Sequence, residues 1–142
     1  MYVSDSNIKH TLEDVYILDI GTFYFFEKFV ISEFNEGVTV NWESVQEILT
    51  IAESHYGVDS KLFYISNRIN SYSLYPQDWL KFFKVRNYIH ALAIVTYRPI
   101  EKTNILLEKL FFKNNIKKFN SLTLAIDWAM EAQNSYQKKS VT

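Results

Sequence analysis

Lys61–Arg86 reads KLFYISNRINSYSLYPQDWLKFFKVR, and its order of strand, polar loop and helix decides the fold. Leu62-Phe63-Tyr64-Ile65 is a short apolar run bounded by turn residues, the pattern of a buried strand. Ser66 to Tyr75 is a loop of hydroxyls and amides that carries no Asp or Glu. Pro76 opens a helix running to about Arg86, where the missing N–H is no loss; Trp79, Leu80, Phe82 and Phe83 give it a broad apolar face. A strand, a polar loop and a helix N-terminus in that order place side chains where open α/β folds keep their sites.

On the N-terminal side, residues 1–10 read as a loose lead-in. Leu12 to Phe26 is rich in β-branched and aromatic residues and predicts one strand from about Val15, with Gly21 as a bulge or a close approach. Glu27-Lys28 is the turn, and Phe29 to Phe34 the return strand of an antiparallel hairpin. Asn35-Glu36-Gly37 ends that strand. Asn41 is a good N-cap for a helix whose apolar stripe is Trp42, Val45, Ile48, Leu49, Ala52 and Tyr56, with Gly57 just past its end. Val58-Asp59-Ser60 turns into the central stretch.

On the C-terminal side, Tyr88 to Tyr97 holds an apolar run, Ala91 to Val95, as a parallel strand covered on both faces does. Arg98-Pro99 breaks it. A helix follows from about Glu101 to Phe112, with Leu106, Leu107, Leu110 and Phe111 inward. Asn114-Asn115 turns the chain into a short edge strand, Ile116 to Phe119, guarded by two lysines. Asn120 or Ser121 caps a last helix from Leu122 to about Ala132, with Ala125, Ile126 and Ala129 inward, and a polar tail from Gln133 frays.

The order is β-β-α-β-α-β-α-β-α. It predicts an α/β layer fold: a mixed, mainly parallel β-sheet preceded by an antiparallel hairpin and packed with about four helices. The expectation is a single domain over 1–142, with loose ends at 1–10 and 134–142.

Composition narrows the function. The chain is 142 residues, 48% hydrophobic and 17% aromatic, which is enough to build a core and argues against disorder. Cysteine is absent, so disulfides, thiol catalysis and thiolate metal sites are excluded. No apolar run approaches the roughly 20 residues that span a bilayer, and no leader follows Met1, so the expected setting is cytoplasmic, without stable membrane insertion. Residues 1–60 hold eleven Asp/Glu against two Lys, and residues 61–142 hold five Asp/Glu against thirteen Lys/Arg. That is either a dipolar surface or two halves whose charges mix on folding.

The segments GTFYFFEKFVISEFNEGVTVNW (Gly21–Trp42), YISNRINSYS (Tyr64–Ser73), WLKFF (Trp79–Phe83), AIVTY (Ala93–Tyr97) and LEKLFFKNNIKKFNSLTLAIDW (Leu107–Trp128), in this order and at this length, resemble the STAS domain. More closely they are similar to the small stand-alone STAS/SEC14, or anti-sigma-factor-antagonist-like, proteins of bacteria. The resemblance implies a non-catalytic protein-interaction module in bacterial signalling or regulation. In the antagonists a serine after the central strand is phosphorylated by a kinase partner, within an Asp-Ser-Ser-Gly-like motif. Here Ser71 is the nearest counterpart and Ser73 the second, with Asn70 in place of the Asp and bulky residues in place of the Gly. Resemblance to lipid-binding SEC14 domains implies an apolar ligand instead.

The predicted topology gathers Asn35, Ser66, Asn67, Arg68, Asn70, Tyr97, Arg98 and Lys102 at one edge of the sheet, as a candidate ligand or partner surface. Arginines beside helix N-termini favour an anion there, and caps and solvated turns account for the same residues without one. Tyr24, Phe26 and Phe29 on the hairpin are the candidate apolar interface for a protein partner or a homodimer. His10, His55 and His90 lack ligand spacing, so no metal is expected, and no cofactor, since the three glycines form no phosphate loop. Glu13-Asp14 and Asp19 are the acids that could pair, but no nucleophile–base pair emerges, and no enzyme is expected. Tyr and Phe interleave with Lys in Trp79–Lys84 and Lys109–Lys118, yet most lie at inward positions, so nucleic acid is not expected as a partner.

Overall fold

The structure, a computed structural model, describes residues 1–27, 29–57, 62–74, 78, 89–98 and 116–141. Its aromatic, β-branched N-terminal stretch forms an antiparallel meander of three strands: β1 (Asp14–Leu18), β2 (Gly21–Phe25) and β3 (Phe29–Phe34). The single strand expected from Val15 to Phe26 is thus two strands, divided at Asp19-Ile20, where Leu18 pairs with Gly21. The turn lacks the Gly or Asn that usually marks one. It is braced from outside instead: the Asn35 side-chain amide donates to Asp19 O at 3.1 Å, and the Asn35 N–H to Ile20 O at 2.8 Å. Gly21 is the close approach expected of it. A Cβ there would stand 2.5 Å from the backbone oxygen of Glu33.

After β3 come β4 (Thr39–Val40) and α1 (Trp42–Tyr56). Asn41 caps α1 as expected, accepting from Ser44 N–H at 2.9 Å, and the Asp78 carboxylate takes the Trp42 N–H at 2.9 Å. Gly57, at φ 99°, ends the helix. The central strand β5 (Leu62–Arg68) runs three residues beyond Ile65, so Ser66, Asn67 and Arg68 belong to the sheet rather than to the loop. β6 (Ser73–Leu74) pairs with β4 in a small parallel sheet. β7 (Ile89–Thr96), the edge strand β8 (Ile116–Phe119) and α2 (Leu122–Val141) complete the described elements.

The main sheet has six strands in the order β1-β2-β3-β5-β7-β8, antiparallel up to β3 and parallel from β3 to β8. Alternating residues split the core between its two faces. Phe29, Ile31, Phe63, Ile65, Ala91, Ala93 and Val95 pack under Leu122, Ala125, Ile126 and Ala129 of α2. Phe23, Phe25, Val30, Phe34 and Leu62 pack under Val45, Ile48, Ile51, Ala52 and Tyr56 of α1. Ile65 and Ala93 are fully buried at the centre. Burying a side chain the size of Ile65 contributes about 1.5–3 kcal/mol.

Several expectations need correction. Residues 1–10 are not loose: Val3–Asp5 and Asn7–Thr11 are short 3-10 helices, and Val3 is 0% exposed beneath the α2 face. α2 continues to Val141, because no Gly or Pro interrupts residues 133–141. Phe26 and Phe29 are not a surface patch. They are 1% and 5% exposed, their rings stack at 4.7 Å, and Tyr24 packs half-buried on the same cluster, because this side of the hairpin faces α2 and the N-terminal segment. Of the four expected helices, the first and the last lie among the described residues as α1 and α2. The helices expected over Pro76–Arg86 (Asp78 apart) and Glu101–Phe112, the turn Val58-Asp59-Ser60 and Lys102 lie outside the described residues. No helix among the described residues is long and apolar enough to cross a membrane.

Candidate functional site: the C-terminal edge of the sheet

The parallel strands β3, β5 and β7 end side by side, and the loops that leave them are tied together. The Asn70 side-chain amide donates to Phe34 O at 3.0 Å. Ser71 N–H donates to Glu36 Oε2 at 2.7 Å, and Gly37 N–H to Ser71 O at 2.7 Å. Arg98, just past β7, donates through Nη1 to Ser71 Oγ and through Nη2 to Ile69 O, the latter at 3.0 Å. The exposed Ser71 hydroxyl therefore sits against a guanidinium with a carboxylate at its own backbone N–H. Ser73 is also exposed, but it lies in β6, with its N–H bound to Val38 O at 2.9 Å.

Beneath this rim the polar residues of β5 are buried and serve as support. Ser66, on the α1 face, is within 3.2 Å of the Tyr72 hydroxyl, and the Arg68 guanidinium lies 5.5 Å over the Tyr72 ring. Both are about 4% exposed, so neither is offered to solvent. A cation over an aromatic face fixes the direction of the loop that carries Tyr72.

The α2 face carries a polar row leading to the same edge: Tyr24 of β2, Glu33 of β3, Asn67 of β5 and Tyr97 just past β7. The Tyr97 hydroxyl donates to Asn67 Oδ1 at 2.8 Å, and Asn67 Nδ2 donates to Glu33 Oε2 at 2.8 Å. Val3 N–H donates to the same carboxylate oxygen at 2.8 Å, and Met1 O accepts from Asn67 Nδ2 at 2.8 Å. Burial raises the Glu33 carboxyl above its ordinary value, against the opposing pull of donors from Val3, Asn67 and Tyr24. Burial, and then the Glu33 charge, push the Tyr24 and Tyr97 hydroxyls up to about 12.

The edge thus brings together Asn35, Asn70, Ser71, Tyr97 and Arg98 with Ser66, Asn67 and Arg68 as internal supports, while Lys102 lies outside the described residues. Glu33 and Val3 escaped the sequence reading. The signal for Glu33 was its parity, since it shares a strand face with the inward Phe29 and Ile31. Among the described residues no three His, Cys, Asp or Glu side chains are arranged to hold a metal ion.

No protein-family model and no curated protein matches the sequence. Among solved structures, an uncharacterized protein of the DUF3478 family from Shewanella loihica PV-4, described as having a SpoIIAA-like fold, matches with a TM-score of 0.52. The identity is 15%, over 82% of this chain and 90% of that one. Strand order, the antiparallel start and this match agree: the chain has a SpoIIAA-like, or STAS, fold.

Proposed function

We propose that the chain is a non-catalytic protein-interaction module of bacterial regulation, acting in the cytoplasm and docking its partner on the C-terminal edge of the sheet. The observation that carries this reading is the exposed Ser71 hydroxyl against Arg98, with Glu36 on the Ser71 N–H. A phosphate on Ser71 would bring about −1.5 to −2 charges to that point. It would draw Arg98 off Ile69 O and repel Glu36, so the two loops that form the rim would rearrange together. Ser73, at the start of β6, is the second acceptor. Asn35, Asn70, Tyr97 and Arg98 form the contact surface around Ser71. The STAS-like fold supports a binding role, since the resemblance implies interaction modules.

The test is affinity co-purification from the native host, with intact-mass analysis of the recovered protein. The expected result is a stoichiometric protein partner that is lost with Arg98→Ala and changed in yield by Ser71→Asp. Recovery of the chain alone, with a small molecule retained in native mass analysis, would replace this reading with an anionic or lipid-like ligand at the same edge.

A further inference from the structure

Residues 1–6 sit on the polar row in a manner that resembles a bound peptide. Tyr2 is extended (φ −74°, ψ 153°). The backbone groups flanking it, Met1 C=O and Val3 N–H, point to one side, as they do in a strand meeting its neighbour. Asn67 Nδ2 takes the first at 2.8 Å and Glu33 Oε2 the second at 2.8 Å. The Val3 side chain fills the core beneath, at 0% exposure. The Ser6 hydroxyl then closes the turn on Val3 O at 2.7 Å. The side chains of Met1 and Tyr2 stay largely outside, at 44% and 42% exposed. The segment is therefore held by its backbone and by one branched aliphatic side chain. Burying a carboxylate to fasten three residues is a costly device where apolar packing alone would serve. It makes sense as a receptor for backbone groups.

We propose that Glu33 and Asn67 form a two-point clamp for the backbone of a short peptide, extended where it meets the clamp and turning just after it, which residues 1–6 fill in cis as a displaceable plug. The partner segment it takes in trans is extended up to a branched aliphatic residue and then turns, with a serine three positions on to close that turn. The proposal rests on the interaction-module reading only for the existence of a partner. The clamp itself rests on the contacts of residues 1–6.

The experiment uses the full chain and the peptide MYVSDS (residues 1–6), labelled at its C-terminus, read by fluorescence anisotropy. Val3→Asp expels the chain's own plug, because the aspartate would have to be buried. This variant binds the peptide saturably. The wild type binds it at least about tenfold more weakly, since a tethered competitor acts at an effective concentration on the order of millimolar. Adding Glu33→Gln to Val3→Asp weakens binding again. No saturable binding to a Val3→Asp chain that keeps its far-UV circular dichroism and cooperative melt would overturn the clamp, as would equal binding with and without Glu33→Gln. If Val3→Asp fails to fold, hydrogen exchange in the wild type decides. A displaceable plug exchanges the Val3 amide at least about tenfold faster than the Ile65 amide, through local opening. Equal rates would overturn it. A cellular partner retained equally by Glu33→Gln would leave the module standing without the clamp. Peptide binding with no cellular partner would leave the clamp standing without the module.

Discussion

Gly21→Ala offers a sharp test of the packing between β2 and β3. The added Cβ would meet Glu33 O at 2.5 Å and Phe34 Cα at 2.7 Å. Both are backbone atoms, so no side-chain rotation relieves the clash. Relief requires β3 to move away from β2. That movement strains the pairs Gly21–Phe34 and Thr22–Glu33 and the Asn35 N–H bond to Ile20 O at 2.8 Å, all at the same place. Overpacking of this kind costs about 1–3 kcal/mol, and the rigidity of the obstacle puts this case near 3. Gly37→Ala is the matched control. Nothing lies within 4 Å of its Cβ, and only its φ of +78° opposes the change, which costs about 1–2 kcal/mol. The assay is urea unfolding followed by circular dichroism. With a slope of about 2 kcal/mol per M, the midpoint falls by about 1.5 M for Gly21→Ala and by about 0.5–1 M for Gly37→Ala, with the slope unchanged. A Gly21→Ala midpoint within about 0.2 M of the wild type, or a larger loss for Gly37→Ala, would refute the close approach as the reason for glycine at position 21.

Other expected outcomes concern the core, the cap and the buried acid. Ile65→Ala empties the centre of the α2 face and should lower stability by about 3 kcal/mol by urea unfolding; a loss below about 1 kcal/mol would contradict the central position of β5. Asn41→Ala removes the acceptor for Ser44 N–H and should cost about 1 kcal/mol, and Asn41→Asp should retain most of the stability. Burial holds the Glu33 carboxyl above its ordinary value of 4.5, so the folded chain keeps a proton that the unfolded chain has released. Stability from this group therefore falls as pH rises from the ordinary value through the folded one, and Glu33→Gln removes that slope. Urea midpoints of both proteins from about pH 4 to 8 check this, and a difference between them that does not vary with pH would count against it.

What was legible in the sequence depended on how local its cause was. Asn41 and Gly57 could be placed because a helix cap is decided within a few residues. The parallel character of β7 followed from the apolar run Ala91 to Val95. The turn at Asp19-Ile20 could not be seen, because its stability comes from Asn35, sixteen residues away. β5 was cut short at Ile65 for the same reason: Ser66, Asn67 and Arg68 read as loop residues until Tyr72, Glu33 and Tyr97 supply partners for them inside the sheet. The edge residues Asn35, Asn70, Tyr97 and Arg98 followed from topology alone. Glu33 and Val3 did not, because an acid in a strand and a residue near the start of the chain are ordinarily assigned to solvent.

The position of β5 between β3 and β7 also bears on how the chain reaches this state during synthesis. β1, β2 and β3 are joined by short connections and can pair as soon as they emerge, with little loop entropy to overcome. β3 is buried at all six of its residues in the finished fold, yet its second neighbour, β5, is made only after α1. Until then β3 is an apolar strand with an open edge, the feature that most readily recruits another chain. At a synthesis rate of about 5–20 residues per second, the stretch from Phe34 to Arg68 keeps that edge uncovered for seconds, far longer than a hairpin takes to form. The slow, non-local parallel pairing thus makes the interval between β3 and β5 the time at which this chain is most vulnerable to misassembly.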